Sequence, residues 1–187
     1  MESLEERFLY ENGTLKNKLE IYDKEKLARF EYREVTDNAI KFLNSKILPI
    51  KEFKDIAYLH KLLFGDIYEW AGEVRDYNLT KGNTTFLPCN FMETGIQEVN
   101  KQISNLLESK NASKEMYAEL LDKLNFLHPF REGNGRTAKI AIQKIAQSKS
   151  QYLDYDYHND ELIVALNESD ISAIAKHLSL ESLEKLK

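Results

Sequence analysis

Along most of the chain apolar residues return every three or four positions, the spacing of helices that bury one face. In 53–70, Phe53, Ile56, Leu59, Leu63 and Ile67 form such a stripe, and Gly65 marks a stop near its end. The stretch 14–35 reads as a short entry segment and then a helix, with Leu27 and Phe30 facing inward and Phe42 following them. The helical pattern continues through 35–44, and Pro49 interrupts what comes after. Helices are also expected over 91–109 and 113–128. The second opens on Ser113 as N-cap with Glu115 in its first turn, and it carries Tyr117, Leu120, Leu121, Leu124 and Leu127 as its stripe. Residues 136–147 are apolar around much of the circumference, as a central buried helix would be. Two further helical stretches, about 159–168 and 169–186, close the pattern.

One region departs from it. The segment 74–88 is rich in Thr, Tyr, Val and Phe and contains a Gly-Asn step suited to a tight turn, so it reads as a small exposed hairpin. The predicted fold class is therefore all-α, a helical bundle with one β-hairpin. Seven glycines and three prolines over 187 residues agree with that, because breakers are few. The length fits a single domain, with a core of about 11–168 and a C-terminal helix of about 169–187 as a candidate regulatory element. A net charge of −5 argues against a nucleic-acid backbone as partner. No apolar run nears the roughly 20 residues of a membrane span. The single cysteine, Cys89, excludes an internal disulfide and fits a cytoplasmic setting. The first residues are acidic where a signal peptide would be basic and then apolar, so the alternative location is secretion without such a peptide.

The chemistry concentrates in "NFLHPFREGNGRTAKIA", residues 125–141. Pro129 disfavours helix at His128, which places the imidazole at a helix terminus. Gly133 and Gly135 let the backbone turn and approach a bound group closely. The first N–H groups of the following helix lack partners within it and form an anion site. Arg136 adds a planar fork suited to phosphate, and Glu132 a hard oxygen ligand of the kind Mg²⁺ takes. Each feature alone is most often structural, since a Gly-Asn-Gly turn is usually only a turn. Together in one loop they describe a phosphoryl- or nucleotidyl-transfer site. Tyr68 and Trp70 read as core residues, His60 and His177 as structural or surface residues, and His158 as solvent-facing; the histidines lack zinc-type spacing.

"HPFREGNGRTAK" (128–139) resembles the signature of the Fic (filamentation induced by cAMP) family, His-x-Phe-x-Asp/Glu-Gly-Asn-Gly-Arg-x-x-Arg. "ENGTLKNKLEI" (11–21), "HKLLFGDIYEWAGEVR" (60–75) and "KGNTTFLP" (81–88) are similar to the family's entry segment, its helix with the Trp-Ala-Gly turn, and its flap. The resemblance implies a Fic-type helical core that transfers AMP from ATP to a hydroxyl of a target protein (AMPylation). By position, His128 would be the base and Glu132 would hold Mg²⁺ between the α- and β-phosphates. Gly133, Asn134 and Gly135 would form the anion hole, with Asn134 facing the α-phosphate, and Arg136 would grip the β-phosphate. Phe130 would anchor the loop in the core. Lys81, Gly82, Asn83, Thr84, Thr85, Phe86, Leu87 and Pro88 would form the flap that pairs with the target's backbone.

Two departures from the family pattern stand out. The last arginine of the signature is Lys139, which shares a helix face with Arg136, keeps the charge and loses the bidentate fork, so a looser hold on the γ-phosphate is expected. The family's inhibitory Ser/Thr-x-x-x-Glu-Gly/Asn pattern is absent: Thr94–Glu98 and Ser104–Glu108 have the spacing without the final residue. Control would then come from a small antitoxin partner, from Glu181 or Glu184 in the closing helix, or not at all. The rival functions are an inactive or antitoxin-controlled Fic-fold nucleotide-binding module and a Doc-like phosphotransferase. Phosphocholine or uridylyl donors are further possibilities on the same scaffold. The helix C-terminus would favour imidazolium at His128, whereas a general base must be neutral, and Arg136 and a bound metal would push that way.

Overall fold

The computed structural model describes residues 4–45, 48–155 and 159–183. The expectations for His158 and Glu184 lie outside the described residues. A short α1 (Leu4–Phe8) leads to the long α2 (Lys24–Asn44) and to α3 (Phe53–Phe64). A hairpin follows, β1 (Thr80–Lys81) against β2 (Thr84–Thr85), and then α4 (Met92–Glu108), α5 (Lys114–Leu127) and α6 (Asn134–Ser148). The chain continues as β3 (Gln151–Asp154), α7 (Asp160–Asn167), α8 (Ile171–Lys176) and β4 (Ser179–Ser182).

The architecture is helical, as the apolar periodicity predicts, and α6 is its centre. It packs on α2, α3 and α5, and it buries Ala138, Ile140, Ala141, Ile142, Ile145 and Ala146. The two helical stretches read over 14–44 are one helix, opened by Asp23, whose carboxylate accepts from the Lys26 N–H at 2.7 Å. Its far end is held from inside the core. Lys144, on α6, donates to the carbonyls of Phe42 at 3.0 Å and Leu43 at 3.3 Å, and to that of Ser45. A buried ammonium thus satisfies carbonyls that the helix itself leaves unpaired. Helix α3 is shorter than expected: Gly65 caps it, and Ile67 is buried in the turn that follows.

The predicted closing helix of about 169–187 needs correction. Among its described residues Ile171–Lys176 is the α-helix, and Ser179–Ser182 is a strand paired antiparallel with β3, Leu153 opposite Leu180 and Tyr152 opposite Glu181. The sequence there alternates, with Leu178 buried and Leu180 packed on the core while Ser179 and Glu181 face outward. That period of two suits a half-buried strand. Glu181 therefore stands on a strand rather than on a helix that could dock into the site. The fold has a second small sheet beside the expected hairpin, which pairs Thr80 with Thr85 and Lys81 with Thr84 around Gly82 and Asn83. Among the described residues no helix is long and apolar enough to cross a membrane.

Candidate active site

Helix α5 ends at Leu127, and His128 caps it in the left-handed region (φ 42°, ψ 60°). The following proline denies His128 the helical region, and a left-handed residue at a helix end reverses the chain. A non-glycine residue there costs on the order of 1 kcal/mol, so something must hold it. The holder is Arg75. Its Nε donates to the His128 carbonyl at 2.8 Å and its Nη2 to that of Leu127 at 3.1 Å. The same guanidinium donates to the carbonyls of Tyr77 and Leu87. One buried arginine therefore ties both feet of the hairpin to the end of α5.

The imidazole itself is buried under the flap. Phe86 stacks on it with ring centroids 3.6 Å apart and planes at 16°. Nδ1 lies 3.2 Å from the Asn125 carbonyl, which can only accept, so Nδ1 carries the proton. Nε2 is left with its lone pair, buried and without a hydrogen-bond partner among the described residues. Burial, then the Lys81 ammonium, push the His128 pKa down to about 4 against the Asn125 carbonyl and Glu132. The imidazole is thus held neutral chiefly by burial, with Lys81 the larger and Arg75 the smaller of the cations that add to it.

The loop beyond Pro129 is fastened from within. Asn134 accepts from the Phe130 N–H through Oδ1 and donates to the Phe130 carbonyl through Nδ2, both at 2.8 Å. Its side chain thus faces inward, so an anion at this turn would meet the Asn134 backbone rather than its amide. Phe130 is buried and stacks on His60 at 3.9 Å. Gly133 is left-handed (φ 78°), and a Cβ there would stand 2.4 Å from the Phe64 ring, so glycine is required twice over. At Gly135 an added Cβ would meet nothing within 4 Å, which leaves the first turn of α6 open to an approaching group.

His60 is part of this fastening. The Gly72 N–H donates to its Nδ1 at 2.8 Å, so Nε2 carries the proton and donates to the Glu132 carbonyl at 2.9 Å. Burial drives its pKa down to about 4, with Arg136 adding to the effect and the Glu132 carbonyl opposing it.

Glu132 presents its carboxylate to the flap: Lys81 Nζ stands 3.0 Å from both oxygens. Burial pushes the Glu132 carboxyl up, but Lys81, the Gly133 N–H and Arg136 together hold it below its usual value. Arg136 lies with its guanidinium 4.9 Å above the Phe64 ring and donates to Glu31 at 2.6 Å. Lys139, one turn on, stands 5.5 Å from the Tyr155 ring, and its carbonyl accepts from the Tyr155 hydroxyl. Arg136 and Lys139 are thus held over different aromatic rings. Thr94–Glu98 and Ser104–Glu108 both lie along α4, where Ser104 donates to Glu108 at 2.9 Å. His177 has other partners, standing 3.1 Å from Asn159 and within 3.9 Å of Glu161.

His128, Glu132, the turn at 133–135 and Arg136 are therefore brought together with the flap above them. Arg75 and Glu31 belong to the same assembly, and the sequence reading passed over both. Glu31 had a legible signal. Leu27, Glu31 and Val35 are four apart, so a carboxylate interrupts the inward face of α2. Among the described residues no group of three or more His, Cys, Asp and Glu side chains could hold a metal. Glu132 alone suits an ion such as Mg²⁺, which is commonly bound by one carboxylate, phosphate oxygens and waters.

Known proteins resemble this chain in sequence and in fold. The profile of the Fic/DOC family matches residues 50–146. The chain is 29% identical over 150 residues to the protein adenylyltransferase VbhT of Bartonella schoenbuchensis, covering 78% of this chain and 31% of that protein. It is 31% identical to the probable protein adenylyltransferase y4lH of Sinorhizobium fredii, covering 75% of this chain and 74% of that one. The chain thus spans about a third of the length of VbhT and most of the length of y4lH. Among solved structures, the N-terminal Fic domain of an effector from Bartonella sp. AR 15-3 superposes with a TM-score of 0.80 at 26% identity, over 90% of this chain and 87% of that one. The BepC protein of Bartonella tribocorum, solved with bound AMPPNP, does so with a TM-score of 0.78 at 22% identity, over 94% and 98% of the two chains. With the signature loop, its left-handed histidine and its flap in place, this chain belongs to the Fic/DOC family.

Proposed function

We propose that the protein transfers AMP from Mg·ATP to a Ser, Thr or Tyr hydroxyl of a target protein and releases pyrophosphate. The observation that carries this reading is the buried, unpartnered Nε2 of His128, beside a helix N-terminus whose glycine face at Gly135 is open. The proton of the acceptor hydroxyl would pass to Nε2 as the oxygen attacks the α-phosphorus, and the bond from that phosphorus to the bridging oxygen would break. The first N–H groups of α6 and Arg136 would stabilise charge on the phosphates. Glu132 would hold Mg²⁺, and a bound ion there would neutralise charge between the α- and β-phosphates. Relatives named protein adenylyltransferase and a neighbour solved with AMPPNP support ATP as the donor.

The target would bind along the flap. Lys81, Gly82, Asn83 and Thr85 are exposed and Phe86 turns inward, so β1 and β2 offer a short edge for main-chain pairing. Restraint by a small separate protein belongs to the same proposal.

Purified protein, Mg²⁺ and ATP labelled on the α- or the γ-phosphate test the reaction in a lysate holding candidate targets. Label from the α position on protein is expected, and loss of that label in His128→Ala with nucleotide binding kept. Label from the γ position would establish phosphotransfer instead. No transfer from either label would leave a nucleotide-binding module.

A further inference from the structure

Glu31 lies 105 residues from Arg136 in sequence, yet its Oε1 accepts from Arg136 Nη2 at 2.6 Å. Its other oxygen accepts from the hydroxyl of Tyr68, which is fully buried. The carboxylate is thus engaged on both sides, and only 12% of the Glu31 side chain is exposed against 35% for Arg136. Phe64 lies beneath the guanidinium, and the same ring packs against Gly133. Arg136 is therefore set in a frame of one ring below, one carboxylate beside it and one hydroxyl behind.

We infer that Glu31 is a positioning residue: it fixes the Arg136 fork toward the nucleotide's phosphates before the nucleotide arrives. This rests on the triphosphate reading of the loop. The physical argument is one of donors and freedom. A guanidinium has five N–H donors, and the contact with Glu31 uses Nη2, so Nη1 and Nε remain to face an anion. An arginine carries about 2 kcal/mol of rotamer entropy, which a pre-set side chain does not lose on binding. A carboxylate beside an anion site also repels the anion, so the sign of its effect is a real question. The Tyr68 contact decides it. A carboxylate tied into the core from behind cannot swing across the fork, as a restraining residue must.

The experiment is calorimetric binding of Mg·AMPPNP to the whole chain, with melting temperature recorded for each variant. Glu31→Ala is expected to weaken binding about tenfold, which at the tenfold-per-1.4 kcal/mol conversion is one well-made charge-assisted contact. Tyr68→Phe, which keeps shape and removes only the hydroxyl, is expected to weaken it less, in the same direction. Combining Glu31→Ala with Arg136→Ala should add little to Arg136→Ala alone, because Glu31 acts through Arg136. In turnover, the Glu31 variant should raise KM for ATP more than it lowers kcat. Tighter binding in Glu31→Ala would overturn the inference and make Glu31 a restraint. Lower melting temperatures with unchanged affinity would overturn it in favour of a purely structural role. If wild type and Arg136→Ala bind the nucleotide equally, the triphosphate reading falls and this inference with it.

Discussion

The ammonium of Lys81, at the tip of the flap, sits 3.0 Å from both carboxylate oxygens of Glu132, at the lip of the signature loop. A cation of the protein's own therefore occupies the carboxylate that the proposed function assigns to Mg²⁺. The pair is partly exposed, 42% for Lys81 and 33% for Glu132, which makes it weak enough to part. Surface pairs are worth about 0–1 kcal/mol, so Lys81→Ala should lower the Mg²⁺ concentration needed for half-maximal nucleotide binding by up to about fivefold. A titration of Mg²⁺ against a fluorescent ATP analogue measures this. A higher requirement in the variant would instead make Lys81 a phosphate ligand.

Arg75 joins the flap to the end of α5 through four main-chain carbonyls. Removing it leaves those acceptors buried without a donor. Arg75→Met should cost about 3 kcal/mol, or roughly 6–12 °C of melting temperature in a chain of this size. Arg75→Lys should recover only part of that, since one ammonium cannot reproduce the geometry of the fork. Thermal unfolding of both variants beside wild type tests the order.

Two buried neutral histidines make the fold sensitive to acid. His60 and His128 both have folded pKa values near 4, well below the ordinary value of 6.5. Below pH 6.5 the unfolded chain takes up protons that the folded chain refuses. Their contribution to stability is therefore complete above pH 6.5 and is lost as pH falls from there toward 4. Each proton tilts stability by about 1.4 kcal/mol per pH unit, so two should give a slope near twice that around pH 5. Urea unfolding at pH 7, 6 and 5 reads the slope directly. Equal stability at pH 7 and pH 5 would contradict the buried neutral assignment.

Lys139 keeps the charge of the signature's final arginine without its fork. Lys139→Arg should raise ATP affinity or turnover severalfold, because two parallel donors hold a phosphate better than one point charge. Tyr155 can accept a guanidinium over its ring as well as an ammonium, so the local packing should tolerate the exchange. A fall in both affinity and turnover would show that lysine itself is required.

Much of the fold was readable because its helices bury stripes. The helical patterns mark α4, α5 and α6 to within a few residues and the start of α3, and the end of α5 follows from a single proline. The closing segment misled because Ser, Leu and Glu suit a helix as local propensity, while β4 exists through pairing with a strand about 30 residues earlier. The signature loop was legible as a loop, since its residues are contiguous. The roles of Arg75, Glu31 and His60 were not, because each acts through partners 50 to 105 residues away in sequence. A lone arginine inside a hairpin pattern reads the same whether it faces solvent or four carbonyls.

The Phe86 ring lying over His128 also bears on selectivity between acceptors. A proton acceptor roofed by a benzene face is kept dry, and water is the commonest hydroxyl in any cell. In the proposed reaction an acceptor oxygen has to reach the buried Nε2 past the flap, which an extended polypeptide strand laid along β1 or β2 would bring close. Under the proposed transfer, the packing of Phe86 on the imidazole would also slow idle hydrolysis of the nucleotide when no target is bound.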